Sequence, residues 1–384
     1  ELVHVFTHSK VSRVLLDHRV AQDHLPPLWF TEGLAEYWST TWDNQAEMVL
    51  RDATLNDYLV PLDDMDKISG SYLMYKEGQA LLQFASERFG EEKILFLMEN
   101  FWRTQSFEEV FRYTLGVDYK GFDNEWVYSL KKKYFPLLSN NDFISRKSTP
   151  LTFEGFNSKP VFYRRGSKRE IYFIGNYTGY AGVYRLNIDS LVNEKGKSIP
   201  PELLVQGEKT EELEAFHFTQ SKIDVSKNGV LAFTTKKGEQ DALHLFDVNT
   251  KTFLVSLQFE NLVLISSPSF SPDGKRIVFS SVDKSGFSDL YVYEIDSKTL
   301  LKITDDVYDD KDATFSPDGK QIYFSSDRTT YGEKGSYNLF ALDLDTKTIR
   351  YVTYGEHNFY SPTFSRDEKY LSYVCDEKIG RAHV

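Results

Sequence analysis

The sequence predicts a multidomain protein in which an α-helical first part is followed by an all-β second part. The chain has 384 residues, which is more than one hydrophobic core usually serves. Apolar residues recur with a helical period up to about residue 135, whereas from residue 161 onward they alternate with a period of two. The second part also repeats itself about every 45 residues.

Composition limits the classes of function. Charged residues make up 27% of the chain and hydrophobic residues 41%, as in globular proteins. The net charge of −12 argues against nucleic-acid binding, because that function needs a basic face. No apolar run is long enough to span a bilayer, so we predict no transmembrane segment in this sequence. A single cysteine, Cys375, excludes an internal disulfide.

The clearest predicted helix covers Tyr72–Phe89, and Gly90 follows it as a residue suited to end a helix. Its apolar stripe consists of Leu73, Ala80, Leu81, Phe84 and Ala85. Further helices are predicted over residues 91–101 and 122–134. Residues 136–157 are polar and contain the segments "LLSNND" and "RKSTP". We therefore predict a helical domain over 1–135, a linker over 136–157 and a β domain over 158–384.

The repeats explain the architecture of the β domain. The segment "PSFSPDGKRIVFSS" (Pro268–Ser281) recurs as "ATFSPDGKQIYFSS" (Ala313–Ser326) and, in degraded form, at residues 223–235 and 362–375. The letters Ser-Pro-Asp-Gly predict a tight turn between two alternating strands. Four strands in each period of about 45 residues form one blade of a β-propeller, and blades must stack because one blade cannot bury both of its faces.

This repeat resembles that of TolB-type β-propellers, which are related to WD40 repeats, and the resemblance covers residues 158–384. We count four blades and part of a fifth, whereas the family usually has six, so we expect the natural chain to continue beyond Val384. The resemblance implies a periplasmic or otherwise exported protein. It also implies a protein partner at one mouth of the propeller, on Glu214–Lys222, Asp305–Asp312 and Gly355–Ser361.

Two stretches of the helical domain carry candidate chemistry. In "PPLWFTEGLAEYW" (Pro26–Trp38), two prolines suit a helix start, and Glu32 and Glu36 lie one turn apart on one face. Neighbouring aromatic and aliphatic residues predict that this helix is largely buried, so its carboxylates need a partner such as a metal with a histidine. In "ELVHVFTH", at the start of the chain, Glu1 and His4 have the spacing of the last four letters of H-E-x-x-H.

Together these stretches resemble the gluzincin metallopeptidases, in particular the M1 aminopeptidases and the peptidase MA-like domains, which are thermolysin-like. The resemblance implies Zn²⁺ as the cofactor, since a hydrolytic zinc site takes three protein ligands and leaves one position for water. It assigns Glu1 as the general base, His4 and Glu32 as zinc ligands, and Glu36 as the carboxylate that orients a ligating imidazole. The first zinc histidine would then be the residue before Glu1, so we expect the natural chain to extend upstream too.

A third stretch, "YKEGQALLQFASERFG", begins at Tyr75. It resembles the M1 segment whose tyrosine hydroxyl stabilises the oxyanion of the tetrahedral intermediate, although its Lys and Glu are in swapped order. Tyr75 is the candidate for this role, and Tyr72 is the second choice. The gap of 28 positions from His4 to Glu32 is longer than in M1 enzymes and implies an insertion.

The other nearby histidines are predicted to have no catalytic role. His8 lies one helical turn after His4, but Val5 occupies the position where a hydrolase needs Glu, so His8 is an ordinary helix residue. His18 and His24 are predicted to be surface residues in a loop before Pro26.

The predicted function is zinc-dependent hydrolysis of a peptide or protein substrate, with the propeller gating access or binding a partner. Because one of three zinc ligands is missing from the sequence, we expect the chain as it stands to be inactive and to bind zinc weakly. Two alternatives stay open. One is a non-catalytic scaffold of the cell envelope whose propeller binds a protein. The other is the propeller of a serine peptidase with a hydrolase domain beyond Val384, although no G-x-S-x-G motif occurs here.

Overall fold

The computed structural model describes residues 2–19, 25–39, 42, 44–104, 106–139, 148–191, 199–218, 220–332, 335–365 and 367–376. The chain divides into two compact units, residues 1–142, the helical unit, and residues 143–384, the β unit. The predicted order of a helical part followed by an all-β part is confirmed. The domain limits 1–135 and 158–384 remain a prediction. No helix among the described residues has the length and apolar character needed to cross a membrane.

The α-helices of the helical unit are α1 (Leu2–His18), α2 (Leu28–Ser39), α3 (Asn44–Leu55), α4 (Tyr72–Phe89), α5 (Glu91–Asn100), α6 (Phe107–Leu115) and α7 (Tyr119–Tyr134). Short 3-10 helices cover Leu62–Ile68, Phe101–Arg103 and Phe135–Ser139. Helix α4 has the predicted bounds. Its start is fixed by Ser71, whose hydroxyl accepts a hydrogen bond from the backbone N–H of Met74 at 3.2 Å. Gly90, with a φ of 98°, ends it.

The β unit consists of successive antiparallel sheets whose strands pair in chain order, with one exception in the second sheet. The first blade contains β1 (Asn157–Arg165), β2 (Lys168–Gly175), β3 (Gly182–Asn187) and β4 (Glu202–Gln206). The second contains β5 (Ala215–Phe216), β6 (Asp224–Val225), β7 (Val230–Lys237), β8 (Gln240–Asp247) and β9 (Thr252–Leu257), and in this sheet β5 and β6 both pair with β7. The third contains β10 (Leu262–Phe270), β11 (Arg276–Asp283), β12 (Ser288–Glu294) and β13 (Thr299–Lys302). The fourth contains β14 (Asp310–Phe315), β15 (Gln321–Ser326), β16 (Asn338–Asp343) and β17 (Ile349–Tyr351), and the last sheet pairs β18 (Phe359–Phe364) with β19 (Leu371–Cys375).

The Ser-Pro-Asp-Gly turns form as predicted. In the turn between β10 and β11, the hydroxyl of Ser271 donates to the Asp273 carboxylate at 2.5 Å and accepts from the N–H of Arg276 at 2.9 Å. Gly274 has a φ of 73°, which a side chain would disfavour. The turn between β14 and β15 repeats the same pattern, with Ser316 donating to Asp318 at 2.6 Å.

The first strands of the blades are connected by a polar ring, which we define as Lys222, Ser267, Asp312 and Ser361. Ser267, Asp312 and Ser361 have positive φ and lie where β10, β14 and β18 shift register against their neighbours. The Ser267 hydroxyl donates to Asp312 at 2.7 Å, and the Ser361 hydroxyl donates to the other Asp312 oxygen at 3.0 Å. The Lys222 ammonium donates to the carbonyl oxygen of Ala313 at 2.9 Å. The ring therefore ties the second, third, fourth and last sheets together.

Candidate metal centre

Two glycines set the distance between α2 and α4. A Cβ atom on Gly33 would lie 2.7 Å from the backbone carbon of Gly78, and a Cβ on Gly78 would lie 2.7 Å from the carbonyl oxygen of Trp29. Both distances are shorter than van der Waals contact, so the helices can meet backbone to backbone only with glycine at these positions. This contact places the polar residues of α2 beside those of α4.

Replacing Gly78 with alanine is expected to lower the free energy of unfolding of the helical unit by about 1–3 kcal/mol. The new methyl group would meet backbone atoms, which cannot rotate away, so α2 and α4 would have to separate. Urea denaturation followed by far-UV circular dichroism measures the loss. The control is Gly121→Ala on α7, whose methyl group would meet only the side chains of Val117 and Asp118. Equal stability of Gly78→Ala and the unmodified chain would contradict the assigned contact.

His4 and Glu32 face each other between α1 and α2. The imidazole Nε2 of His4 lies 3.4 Å from a carboxylate oxygen of Glu32, and the side chains are 32% and 17% exposed. Helix α1 is fixed by Val11, Val14 and Leu15, which pack with Phe101. Two ligand atoms on one tetrahedral zinc ion, with bonds of roughly 2.0–2.2 Å, lie about 3.3–3.5 Å apart. The donor types and their separation therefore fit Zn²⁺. Glu1 lies outside the described residues.

Tyr75 on α4 lies near the same carboxylate, and the charge of Glu32 acts on its hydroxyl. Burial raises the pKa of Tyr75, and the charges of Glu32 and Glu36 raise it further. The phenol therefore stays protonated at neutral pH and is available as a hydrogen-bond donor. The second-choice tyrosine, Tyr72, is 51% exposed, and the Lys76 ammonium lies 5.5 Å from its ring centroid.

Glu36 is paired with a lysine that the sequence interpretation did not single out. The ammonium of Lys76 donates to a Glu36 oxygen at 2.6 Å, and the two side chains are 7% and 25% exposed. The role of Glu36 in orienting a zinc-bound imidazole stays a prediction. One feature of the sequence could have drawn attention to Lys76. The swapped order of Lys and Glu after Tyr75 places this lysine directly after the candidate tyrosine.

Glu77, the next residue on α4, was also missed. Its side chain is fully buried and accepts a hydrogen bond from the N–H of Val60 at 3.2 Å. Burial raises the pKa of Glu77 to about 8, and the nearby Asp123 contributes in the same direction. In the sequence, Lys76-Glu77 is indistinguishable from a charged pair on a solvated helix face.

The other histidines near the start of the chain differ in their position and contacts. His8 is exposed and its ring stacks on that of His4, with centroids 6.3 Å apart. His18 is exposed as predicted, but its assignment to a loop was wrong, because it is the last residue of α1 and stacks on Trp102 at 3.7 Å. The helix continues this far because Val14 and Leu15 keep its buried stripe going. His24 lies outside the described residues.

The β unit contains a cluster of aspartates that is paired with basic side chains. Oxygens of Asp289, Asp306 and Asp310 lie within 4.8 Å of one another. However, Arg328 binds both oxygens of Asp310 at 2.6 Å and one oxygen of Asp306 at 3.0 Å. The ammonium of Lys302 lies 2.9 Å from Asp289. Since basic side chains already neutralise these carboxylates, we assign the cluster to the packing of the third and fourth blades.

The segments expected to bind a partner lie at the starts of inner strands. Glu214–Lys222 contains β5, Asp305–Asp312 runs into β14, and Gly355–Ser361 runs into β18. Lys222, Asp312 and Ser361 belong to the polar ring, so the inner ends of all three segments are held by hydrogen bonds. Partner binding there stays a prediction.

Comparison with known proteins gives two family matches. The Peptidase MA superfamily matches residues 1–132, and the TolB beta propeller domain matches residues 223–384. No curated protein matches the chain.

Among solved structures, TolB from Agrobacterium tumefaciens is 20% identical with a TM-score of 0.44, over 58% of this chain and 70% of that chain. TolB from Acinetobacter baumannii is 16% identical with a TM-score of 0.37, over 58% of this chain and 63% of that chain. The oligogalacturonate lyase from Vibrio parahaemolyticus is 12% identical with a TM-score of 0.39, over 58% and 68%. On the two family matches, the chain joins a domain of the Peptidase MA superfamily to a TolB β-propeller domain.

Proposed function

We propose that the helical unit hydrolyses peptide bonds with a Zn²⁺ ion held by His4, Glu32 and a histidine immediately before Glu1. The observation that supports this most is the pair of zinc-type donors, His4 and Glu32, at a separation of 3.4 Å. The pair lies in the segment that matches the Peptidase MA superfamily. Tyr75, whose hydroxyl lies near the same carboxylate, adds a protonated phenol beside the pair.

Each residue has a defined part in the proposed reaction. When bound, Zn²⁺ would polarise the peptide carbonyl and lower the pKa of water. Glu1 would accept the proton of the attacking water and deliver it to the leaving amine. Tyr75 would donate a hydrogen bond to the oxygen that gains negative charge. A phenol is protonated at neutral pH and can therefore donate this hydrogen bond.

Metal analysis and a peptidase assay test the proposal on the natural chain, including the residue before Glu1. We expect one zinc ion per chain, hydrolysis that stops when a chelator removes the metal, and recovery when Zn²⁺ is returned. The variant Glu1→Gln should keep the zinc and lose hydrolysis, because glutamine cannot accept the proton. Equal activity of Glu1→Gln and the unmodified chain, or the lack of zinc binding, would contradict the proposal.

We further propose that the protein is periplasmic or otherwise exported, and that its β unit gates the peptidase or binds a protein partner. The match of residues 223–384 to the TolB beta propeller domain supports this. Cell fractionation tests the location, and recovery of the protein in the cytoplasm alone would exclude it.

A further inference from the structure

Helix α2 carries two carboxylates that are chemically equivalent as metal ligands. Glu32 and Glu36 lie one helical turn apart, and their side chains are 17% and 25% exposed. Zn²⁺ accepts an oxygen from either glutamate equally well. Only the groups that surround each carboxylate can decide which one faces His4.

Lys76 provides that difference. Its ammonium holds a Glu36 oxygen at 2.6 Å, and at 7% exposure the lysine is nearly removed from water. The backbone contact between Gly33 and Gly78 fixes α4 against α2, so Lys76 is held opposite Glu36. Among the described residues no lysine is found in an ion pair with Glu32, whose ion-pair partner is His4.

We propose that Lys76 is a positioning residue that selects the metal-binding carboxylate: by holding Glu36, it leaves Glu32 as the α2 carboxylate that faces His4. The inference rests on the proposed zinc site. If Lys76 is removed, Glu36 becomes a largely buried carboxylate without this counter-ion. Such a group gains from binding any nearby cation, and Glu36 lies one helical turn from Glu32, which would hold the metal. Glu36 then becomes a substitute for Glu32.

Zinc affinity, measured by competition with a chromophoric chelator on the natural chain including the residue before Glu1, tests this. With Lys76 present, we expect Glu32→Gln to lower the affinity by more than about 100-fold, the upper end of what the loss of an outer-shell partner costs. In the Lys76→Met background, the same change should cost less than about 10-fold, because Glu36 takes over. Adding Glu36→Gln to the variant with Glu32→Gln and Lys76→Met should restore the full loss of zinc affinity. Lys76→Arg, which keeps the cation, should behave like the unmodified chain.

The outcomes distinguish failure of the selecting role of Lys76 from failure of the zinc site. If Glu32→Gln costs the same with and without Lys76, the selecting role is overturned while the zinc site stands. If the unmodified chain binds no zinc, the proposed function fails, and the inference fails with it. A lysine that only stabilised the fold would weaken zinc binding in every background, and Glu36→Gln would change nothing. Should Lys76→Met not fold, Lys76→Gln replaces it, with circular dichroism as the folding control.

Discussion

Replacing Tyr75 with phenylalanine is expected to lower kcat for peptide hydrolysis by about 10²–10³-fold while zinc stays bound. The hydroxyl is the only atom lost, and the ring can keep its place on α4. In the structure this hydroxyl lies near Glu32, and burial raises the pKa of Tyr75, so the hydroxyl remains a donor. A donor aimed at the oxygen that becomes negative stabilises the transition state more than the bound substrate. KM should therefore change little.

Tyr72→Phe is the matched control, because it removes the same atom from the same helix. Tyr72 is 51% exposed, and the Lys76 ammonium lies 5.5 Å from its ring centroid. We expect its kcat to stay close to that of the unmodified chain. If Tyr72→Phe lost most of its kcat and Tyr75→Phe lost none, the oxyanion-stabilising hydroxyl would be that of Tyr72.

The second large effect concerns stability. Replacing Arg328 with methionine is expected to lower the free energy of unfolding of the β unit by about 3–5 kcal/mol. Asp310 is fully buried with both oxygens on Arg328, so the change leaves a buried carboxylate without its cation. Burial already raises the pKa of Asp310 to about 6, even with the arginine present. Urea denaturation followed by tyrosine fluorescence measures the loss.

Two comparisons isolate the cause of that loss. Arg169→Met breaks an exposed ion pair with Asp189 in the same unit and should leave the urea midpoint almost unchanged. Adding Asp310→Asn to Arg328→Met removes the orphaned charge and should recover part of the stability. If the double variant is no more stable than Arg328→Met, the loss would come from the packing of the guanidinium between aromatic rings, such as those of Tyr308 and Phe324.

The features that could be predicted from the sequence are local or repeated. The stripe over Tyr72–Phe89 gave the bounds of α4 correctly, because period and capping residues act within a few positions. The Ser-Pro-Asp-Gly turns were identified because one geometry recurs at a fixed interval with the residues that it needs. The two family matches confirm the resemblance of the first segment to peptidase MA-like domains and of the second to TolB-type propellers.

The features that were missed depend on contacts between distant residues. Lys76 pairs with Glu36 across 40 positions, and nothing in either stretch alone indicates that the two meet. The sequence shows that residues 33 and 78 are glycines, but it does not show that they form the backbone contact between α2 and α4. The loop assigned to His18 was wrong because the packing that extends α1 involves Phe101, far along the chain.

The polar ring has a consequence for how the β unit comes apart. In a linear array of repeats each unit touches only its neighbours, so the ends can open one at a time. Here Lys222 of the second blade is bonded to Ala313 of the fourth, which bypasses the third blade altogether. Asp312 in turn holds Ser267 and Ser361 from the blades on either side of it. Opening any one of these sheets breaks hydrogen bonds in others, so amide hydrogens of β10, β14 and β18 should exchange with solvent in a single shared event.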